Sequence, residues 1–240
     1  HGIVFVRDCN WLQHFENVVD SYHLLVLHAM NSGDQFSSVV TAGGVPEISF
    51  EETDLGAKYN MYRNLPNGNR LLRHGEAVLP NIMLVPSIHE QGDQPKEKSR
   101  CSELTWCVPT DNEHVSGISI VAWPKDENGE PLEGWKPGTD TVTKIRPGNL
   151  RDRPYIEKQR TPDDMEAQEG QRPIAIHALE NLGTTDGGVV LLRRALRRSL
   201  DLMASGGDPQ NIIRDEKANH SVATHAWNTV RSPHPREEAA

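Results

Sequence analysis

Cysteines and long apolar runs are both scarce in this sequence, and each shortage excludes a class of protein. Cys9, Cys101 and Cys107 are the only cysteines among 240 residues, too few and too irregularly spaced for a disulfide framework or a cysteine-only metal site. No stretch approaches the roughly 20 apolar residues that a membrane-spanning helix needs. We therefore expect a soluble protein of a reducing, cytoplasmic compartment, with no membrane partner.

Basic residues are outnumbered by acidic ones, with 25 Lys and Arg against 34 Asp and Glu. The formal net charge is -9, which would repel a phosphate backbone. The one concentrated basic run comprises Arg193, Arg194, Arg197 and Arg198, and it lies in a helical pattern that favours a solvated or ion-paired face. Nucleic acid is therefore not an expected partner.

The chain does not begin with methionine. It opens on a strand-like run from His1 to Val6, without the cationic start or the cleavage site of a signal peptide. We expect the sequence to be a fragment of a longer protein. Its hydrophobic content of 36% can still bury a substantial core.

The apolar pattern predicts a helix, then strands. Residues 11–27 have apolar positions at steps of three and four, without Pro or Gly, as in a helix. Short apolar runs broken by Pro, Gly and Asn predict antiparallel strands over 47–50, 58–63, 76–85, 103–108 and 115–123. In the last run Ile118, Ile120 and Ala122 alternate with Ser119 and Val121, which predicts one face on a core. Residues 92–100 are expected to form a polar loop.

The last third is predicted to be helical again from about Pro173, and to resume after residues 184–186, which could cap the next helix. There Val189, Leu192, Leu196, Leu200 and Met203 share one face until residues 206–207 end the helix. We expect one α+β domain over residues 1–230, with helices on a curved antiparallel sheet that can enclose a cavity. A disordered tail is expected over 231–240.

Three ionisable residues share the first helix with mostly apolar neighbours. Glu16, Asp20 and His23 lie on one stripe, and burying such groups without partners is costly. A bound cation would satisfy several of them at once. Asp20 lies one turn before His23 and is placed to hydrogen-bond the second nitrogen of its ring.

His28 follows His23 by five residues, a step of about 140° on a regular helix. We therefore predict a widened or broken turn near residues 25–27, as is often found at functional sites. Two imidazoles and one carboxylate on one face of Fe(II) leave positions open for dioxygen and substrate, and zinc remains a competitor. This helix cannot supply the third ligand by spacing alone. The tandem Asp163-Asp164 is a candidate, although such a pair more often marks a helix start.

Two blocks of this sequence resemble a known family. Asn10-Trp11-Leu12-Gln13, followed by Glu16-Asn17, Asp20, His23 and His28, resembles the iron-site helix of Rieske non-haem iron oxygenase large subunits, nearest to the phthalate-dioxygenase-like group. A second block resembles the C-terminal signature of the same family. It runs from Asp164 through Gln168-Glu169 and Pro173-Ile174 to Leu179-Glu180-Asn181-Leu182-Gly183, Asp186, Gly188 and Arg193-Arg194. In the strand region the resemblance is weaker.

The resemblance implies roles for individual residues. His23, His28 and Asp164 would bind the iron, with Asp163 as the fallback for the third ligand. Asn17 would lie close to the iron without binding it tightly. Asp20 would be the bridging aspartate that carries electrons from a cluster-bound histidine of the neighbouring subunit. The implied fold is the helix-grip domain with a long C-terminal helix, and the implied assembly is a homotrimer.

The resemblance also implies a mononuclear Fe(II) and a [2Fe-2S] Rieske cluster, with electrons from NAD(P)H through a reductase or ferredoxin. The expected reaction inserts oxygen from O2 into an aromatic substrate, by ring hydroxylation or oxidative O-demethylation, in aromatic hydrocarbon catabolism. A Rieske centre needs paired Cys and His ligands, yet no Cys-x-His or Cys-x-x-His pair occurs here. We therefore expect the cluster domain to be missing before His1, and the fragment to bind iron without turnover.

Two alternatives remain open at this point. A helix-grip module could carry hydrophobic ligands without catalysis, but that would leave Asp20, His23 and His28 unexplained. A zinc hydrolase usually has two histidines four residues apart with a glutamate after the first, and Leu24 occupies that place. For a substrate pocket, the expected walls are the strands between residues 77 and 123, with Met30 and Phe36.

Overall fold

The computed structural model describes residues 1–32, 36, 38–41, 44–88, 90, 92–99, 101–122, 142–145 and 153–233. Ten strands in these ranges form one sheet. They are β1 (Gly2–Arg7), β2 (Glu47–Glu52), β3 (Gly56–Asn64), β4 (Arg70–Val78), β5 (Ile82–Pro86), β6 (Lys96–Ser99), β7 (Cys101–Pro109), β8 (Val115–Val121), β9 (Val142–Ile145) and β10 (Trp227–Arg231).

The strand order is β2-β3-β4-β5-β7-β8-β1-β9, and β10 pairs with β4 and β6. Neighbouring strands are antiparallel, except that β1 and β9 run parallel. The first half of β4 pairs with β10 and the second half with β5. The C-terminal strand is therefore built into the middle of the sheet.

Six α-helices accompany the sheet in the described ranges. They are α1 (Trp11–Glu16), α2 (His23–Leu25), α3 (Ser38–Thr41), α4 (Tyr155–Arg160), α5 (Asp164–Glu169) and α6 (Gly187–Ala204). A 3₁₀ turn covers Asn17–Val19, and a π-helix covers Val26–Asn31. None of the helices in the described ranges has the length and the apolar character that crossing a bilayer requires.

The main core lies between α1, α6 and one face of the sheet. Phe15, Val19 and Leu192 are fully buried there against residues such as Ala57 and Cys107. A Cβ at Gly188 would lie 2.4 Å from the carbonyl oxygen of Val19, so a glycine is needed where α6 approaches the 3₁₀ turn this closely. The predicted α+β class, with an antiparallel sheet and a long helix near the C-terminus, is confirmed.

The single helix predicted over 11–27 is wrong. The chain leaves the helical conformation at Asp20, where φ is -86° and ψ is 82°, and α2 begins only at His23. Neither Pro nor Gly marks the break. One of the apolar residues of this predicted helix, Val26, is 56% exposed.

Two strand predictions need correction. The run 76–85 is divided by a turn into β4 and β5, and 92–100 contains β6 instead of being all loop. In β8 the alternation is present, but the face on the core carries Ser119, which is 1% exposed, while Ile118 and Ile120 are 44% and 56% exposed. The inner face is polar here because Ser119 and Thr105 hydrogen-bond each other, with their hydroxyl oxygens 2.6 Å apart.

The C-terminal helix also differs from its prediction. Residues 173–186 contain only 3₁₀ turns, and α6 begins at Gly187. It ends at Ala204, before Gly206 adopts a φ of +85°. Val189 and Leu192 are buried as predicted, but Leu200 and Met203 are 64% and 53% exposed. Arg231 ends β10, and residues 234–240 of the expected tail lie outside the described residues.

Candidate metal centre

The structure brings His23, His28 and Asp164 together. One ligand atom from each lies within 4.8 Å of the others. The Nε2 atom of His28 is 3.1 Å from Oδ1 of Asp164, and Nε2 of His23 is 3.6 Å from the same oxygen. Two imidazoles and one carboxylate that point into a common space could bind a transition metal ion.

The π-helix explains how two histidines five residues apart can converge. A π-helix closes hydrogen bonds between residues i and i+5, and Ser32 N donates to Leu27 O in this way at 2.9 Å. The imidazole centroids of His23 and His28 are 5.3 Å apart. The widened turn predicted near residues 25–27 is confirmed, although it extends from Val26 to Asn31.

The two aspartates of the tandem pair have different surroundings. Asp163 is the N-cap of α5 and forms a capping box with Glu166, so its side chain is used to start the helix. Its Oδ1 lies 4.0 Å from Nδ1 of His28, the ring nitrogen that does not face Asp164. Asp164, in the first turn of α5, is the aspartate that reaches both imidazoles.

The carboxylate of Asp164 is held in its charged form. Burial raises its pKa, but the hydrogen bond from His28 and the charges of His23 and His28 outweigh that effect, so the pKa lies below its ordinary range. A metal ligand must be deprotonated to bind. This carboxylate meets that requirement across the neutral range.

Asp20 contacts His23, but not in the predicted manner. Nδ1 of His23 contacts the main-chain carbonyl oxygen of Asp20, whereas the Asp20 carboxylate accepts hydrogen bonds from the backbone N–H groups of Tyr22 and His23. The predicted bond from the carboxylate to the ring is therefore wrong, because the break in the helix turns the carbonyl toward the imidazole. Burial raises the pKa of Asp20, against the opposing charge of His23.

Asn17 lies beside the third candidate ligand. Its Nδ2 donates to Oδ1 of Asp164 at 3.1 Å. This is the same oxygen that faces both histidines, so Asn17 can orient the carboxylate. The placement agrees with a residue that lies near a metal ion without being one of its main ligands.

An ion-pair cluster fixes α1 to α6. The guanidinium of Arg193 donates from Nη2 to Oε2 of Glu16 at 2.8 Å and to Oε1 of Glu180 at 3.0 Å. Glu16, which was predicted to share a helix stripe with Asp20 and His23, is therefore neutralised by Arg193 instead of by a bound metal ion. Two arginines of the basic run, Arg193 and Arg198, are ion-paired, which agrees with the predicted solvated or ion-paired face.

The two sequence blocks that resemble the oxygenase family meet each other in the structure. Gln13 donates to the carbonyl oxygens of Gln168 and Arg172 at 3.1 and 2.9 Å and accepts from Ala175 N at 2.9 Å. Its neighbour His14 lies 3.0 Å from Oε1 of Gln168. These bonds hold α1 beside α5 and so hold the histidines near Asp164.

A cavity of about 450 Å³ lies against the three candidate ligands. Its wall includes the predicted strands, through residues such as Met83 and Thr105, and it includes Phe36, whose ring centroid is 4.5 Å from that of His28. Met30 does not line it, and Trp123 lies outside the described residues. Sequence reasoning missed Phe5, Arg7, Tyr59 and Arg73 on the wall, since they come from strands whose inward face could not be assigned without a register.

Comparison with known proteins shows what this chain is similar to. The chain is 31% identical over 231 residues to the phenoxybenzoate dioxygenase subunit alpha of Ectopseudomonas oleovorans, covering 96% of this chain and 52% of the relative. It is 33% identical over 219 residues to the tert-butanol monooxygenase / tert-amyl alcohol desaturase oxygenase subunit of Aquincola tertiaricarbonis, covering 86% and 45%. The predicted resemblance to Rieske-type oxygenase subunits is confirmed.

A further relative is the 5,5'-dehydrodivanillate O-demethylase oxygenase subunit of a Sphingobium species, 29% identical over 230 residues and covering 92% of this chain and 48% of the relative. The chain spans about half the length of the curated relatives it matches. No protein-family model matches it. A solved structure of dicamba monooxygenase bound to dicamba covers 85% of this chain and 59% of that one, at 13% identity and a TM-score of 0.48, which is too low to carry an inference.

Proposed function

We propose that residues 1–230 form the catalytic domain of an oxygenase that inserts oxygen from O2 into an aromatic substrate. The convergence of His23, His28 and Asp164 beside a cavity carries this proposal. Kinship with proteins named as dioxygenase, monooxygenase and O-demethylase subunits supports it over a non-catalytic carrier or a zinc hydrolase. The proposed reaction is either ring hydroxylation or oxidative O-demethylation.

The residues present fit a mononuclear Fe(II). Two imidazoles and a carboxylate are the donor set of non-haem iron oxygenases, and Asp164 is the third ligand in this proposal, with Asp163 retained as a helix cap. Such an iron would supply the oxygen chemistry when bound. The protein's contribution is to hold the three side chains, to keep Asn17 on the Asp164 carboxylate, and to confine the substrate in the cavity.

Electrons would come from outside this chain. A [2Fe-2S] Rieske cluster would be held by another segment, because none of the three cysteines has a histidine at the required spacing. NAD(P)H would supply the electrons through a reductase or ferredoxin. Asp20, whose backbone carbonyl contacts His23, is proposed as the bridge on the path to the metal, in a cytoplasmic homotrimer.

Metal analysis tests this function most directly. The chain is reconstituted anaerobically with Fe(II), desalted, and assayed for bound metal by mass spectrometry. We expect one iron per chain, and loss of that iron in His23→Ala. His177→Ala is the control, because His177 is half exposed and is not among the three converging residues.

A turnover experiment then completes the test. The chain is supplied with a Rieske domain and a reductase, and aromatic acids and methoxy-aromatics are screened for oxygen-dependent NADH consumption. We expect consumption with at least one aromatic class, and none with the His23→Ala variant. A protein that retains zinc in preference to iron, or that binds no metal at all, contradicts the proposal.

A further inference from the structure

A buried guanidinium group lies in the wall of the cavity. Arg73, on β4, is 0% exposed and lines the same cavity as His23, His28 and Asp164. Its Nε donates to the Tyr59 hydroxyl at 3.0 Å, and its Nη1 donates to the carbonyl oxygen of Ser87 at 2.7 Å. Among the described residues its Nη2 is buried without a hydrogen-bond partner.

Within the described residues, this arrangement leaves a positive charge without an anion in ion-pair contact. A guanidinium stays protonated in proteins, and a buried charge is normally paired with an opposite charge or bound to a metal. The partners of Arg73 in the described part of the chain are neutral oxygens of Tyr59, Ser87 and Asn228. They orient the guanidinium, and Nη2 is left without a hydrogen-bond partner among the described residues.

A second arginine lines the cavity, whose wall also carries the carboxyl groups of Asp20, Glu103, Asp163 and Asp164. Arg7 also lines it, and the Nε and Nη1 atoms of Arg7 are buried without partners in the described residues. The carboxylate of Glu103, on the same wall, accepts from the hydroxyls of Thr105 at 2.8 Å and Ser119 at 3.3 Å. Glu103 is thus held by hydroxyl groups and not by either arginine.

Tyr59 provides a second donor beside Arg73. Its hydroxyl oxygen accepts from Nε of Arg73, so its own hydrogen is free to be donated, and no acceptor for it occurs among the described residues. Gly75 pairs with Tyr59 across the sheet, and a Cβ there would lie 2.4 Å from Cε1 of the ring. The glycine therefore makes room for the ring in the position that brings its hydroxyl to Arg73.

We propose that Arg73 and Tyr59 bind the carboxylate of an aromatic acid, so that the substrate class is anionic. This inference rests on the proposed oxygenase function and names the substrate that the same site takes. An arginine N–H and a phenol O–H side by side offer two donors to the two oxygens of a carboxylate. A cavity of about 450 Å³ is at the small end of the usual range for ligand sites, which favours an acid with a single ring.

Calorimetric titration with two matched probes tests the proposal without turnover. The iron-reconstituted chain is titrated anaerobically with 4-methoxybenzoate and with 4-methoxybenzamide, which have nearly the same shape but differ in charge. Since hydrogen bonds to charged groups are the stronger ones, we expect the acid to bind roughly tenfold to a hundredfold more tightly than the amide. Equal affinities in the wild-type chain overturn the proposal, whatever the variants do.

Three variants assign the preference to its residues. Arg73→Met is expected to reduce the acid-to-amide ratio to about one, and Tyr59→Phe to lower it roughly threefold to tenfold. Arg63→Met is the control, because Arg63 is also a buried arginine on the inner face of the sheet but does not line the cavity. It should keep the wild-type ratio. A folded Arg73→Met protein that still prefers the acid contradicts the assignment to Arg73.

Iron content, measured on the same samples, separates this inference from the function on which it rests. A chain that binds iron but shows no preference for the acid overturns the carboxylate site and leaves the proposed oxygenase function standing. A chain that prefers the acid through Arg73 but retains no iron supports the carboxylate site and contradicts the oxygenase function.

Discussion

Replacing Asp164 by Asn is expected to remove tight iron binding, whereas replacing its neighbour Asp163 by Asn is not. The two substitutions remove the same charge from adjacent positions and keep the size of the side chain. Only Asp164 has an oxygen that faces the Nε2 atoms of both His23 and His28. The pair of variants therefore tests which carboxylate serves the metal.

The magnitude follows from electrostatics. A divalent ion and a carboxylate oxygen about 2.1 Å apart attract by roughly 4 kcal/mol even when they are screened as in bulk water. That energy corresponds to about a thousandfold in affinity. Part of it is offset because the carboxylate loses hydration, so we expect the affinity of the Asp164→Asn chain for Fe(II) to fall at least about a hundredfold.

Asp163→Asn should change the affinity less than about tenfold. The Asp163 side chain is 46% exposed, against 26% for Asp164, so solvent and salt screen its charge. Its structural role survives the substitution, because Asn is as good an N-cap as Asp. The start of α5 should be preserved.

Anaerobic calorimetry with Fe(II) measures both affinities, and thermal unfolding of the metal-free variants checks that each is folded. Equal losses of affinity in the two variants would refute the choice of Asp164. Wild-type affinity in a folded Asp164→Asn protein would refute the three-residue site itself.

Three further predictions concern stability, each measured by urea unfolding. Burial and the charge of Arg7 lower the pKa of His14 to about 3. Below pH 6.5 the unfolded chain therefore binds a proton that the folded chain does not, so the free energy of unfolding should fall, by about 2 kcal/mol at pH 5. His14→Gln should remove this loss. Arg193→Met leaves two carboxylates unpaired and should cost about 2 kcal/mol, while Arg194→Met, on the exposed face, should cost less than about 0.5. Gly188→Ala should destabilise by about 1–3 kcal/mol despite the better helix propensity of alanine, because its Cβ meets backbone; Gly187→Ala, which meets only the Phe50 ring, should cost less. A flat pH profile, equal arginine effects, or a stabilising Gly188→Ala would each contradict the corresponding reasoning.

The ligand spacing was the most informative part of the sequence. The five-residue step between His23 and His28 does not match the period of an α-helix, and the structure has a π-helix over Val26–Asn31. The break at Asp20 could not be predicted in the same way, because the apolar pattern continues through it without Pro or Gly. Periodicity reports which residues share a face only if the helix is regular.

Strand alternation has a different limit. It gives the period of two in β8 but not which face is inward, and the apolar face carrying Ile118 and Ile120 is the outer one. The usual assignment is reversed in β8, because the inward-facing Ser119 hydroxyl hydrogen-bonds Thr105 and Glu103 of the neighbouring strand. Arg73 and Tyr59 are fourteen positions apart in the sequence but hydrogen-bonded between β4 and β3, and they likewise gave no signal in the sequence.

The candidate centre depends more on contacts between the two motif blocks than on the sheet. Its histidines follow α1 and its carboxylate begins α5, and the two helices are joined through Gln13, whose side chain bonds three backbone groups between residues 168 and 175. A glutamine that satisfies several buried backbone groups at once is hard to replace, because each lost bond leaves a buried polar group without a partner. The residues that position the ligands therefore lie in the same two segments as the ligands themselves. This explains why both blocks can be recognised from the sequence, although His28 and Asp164 are more than 130 residues apart.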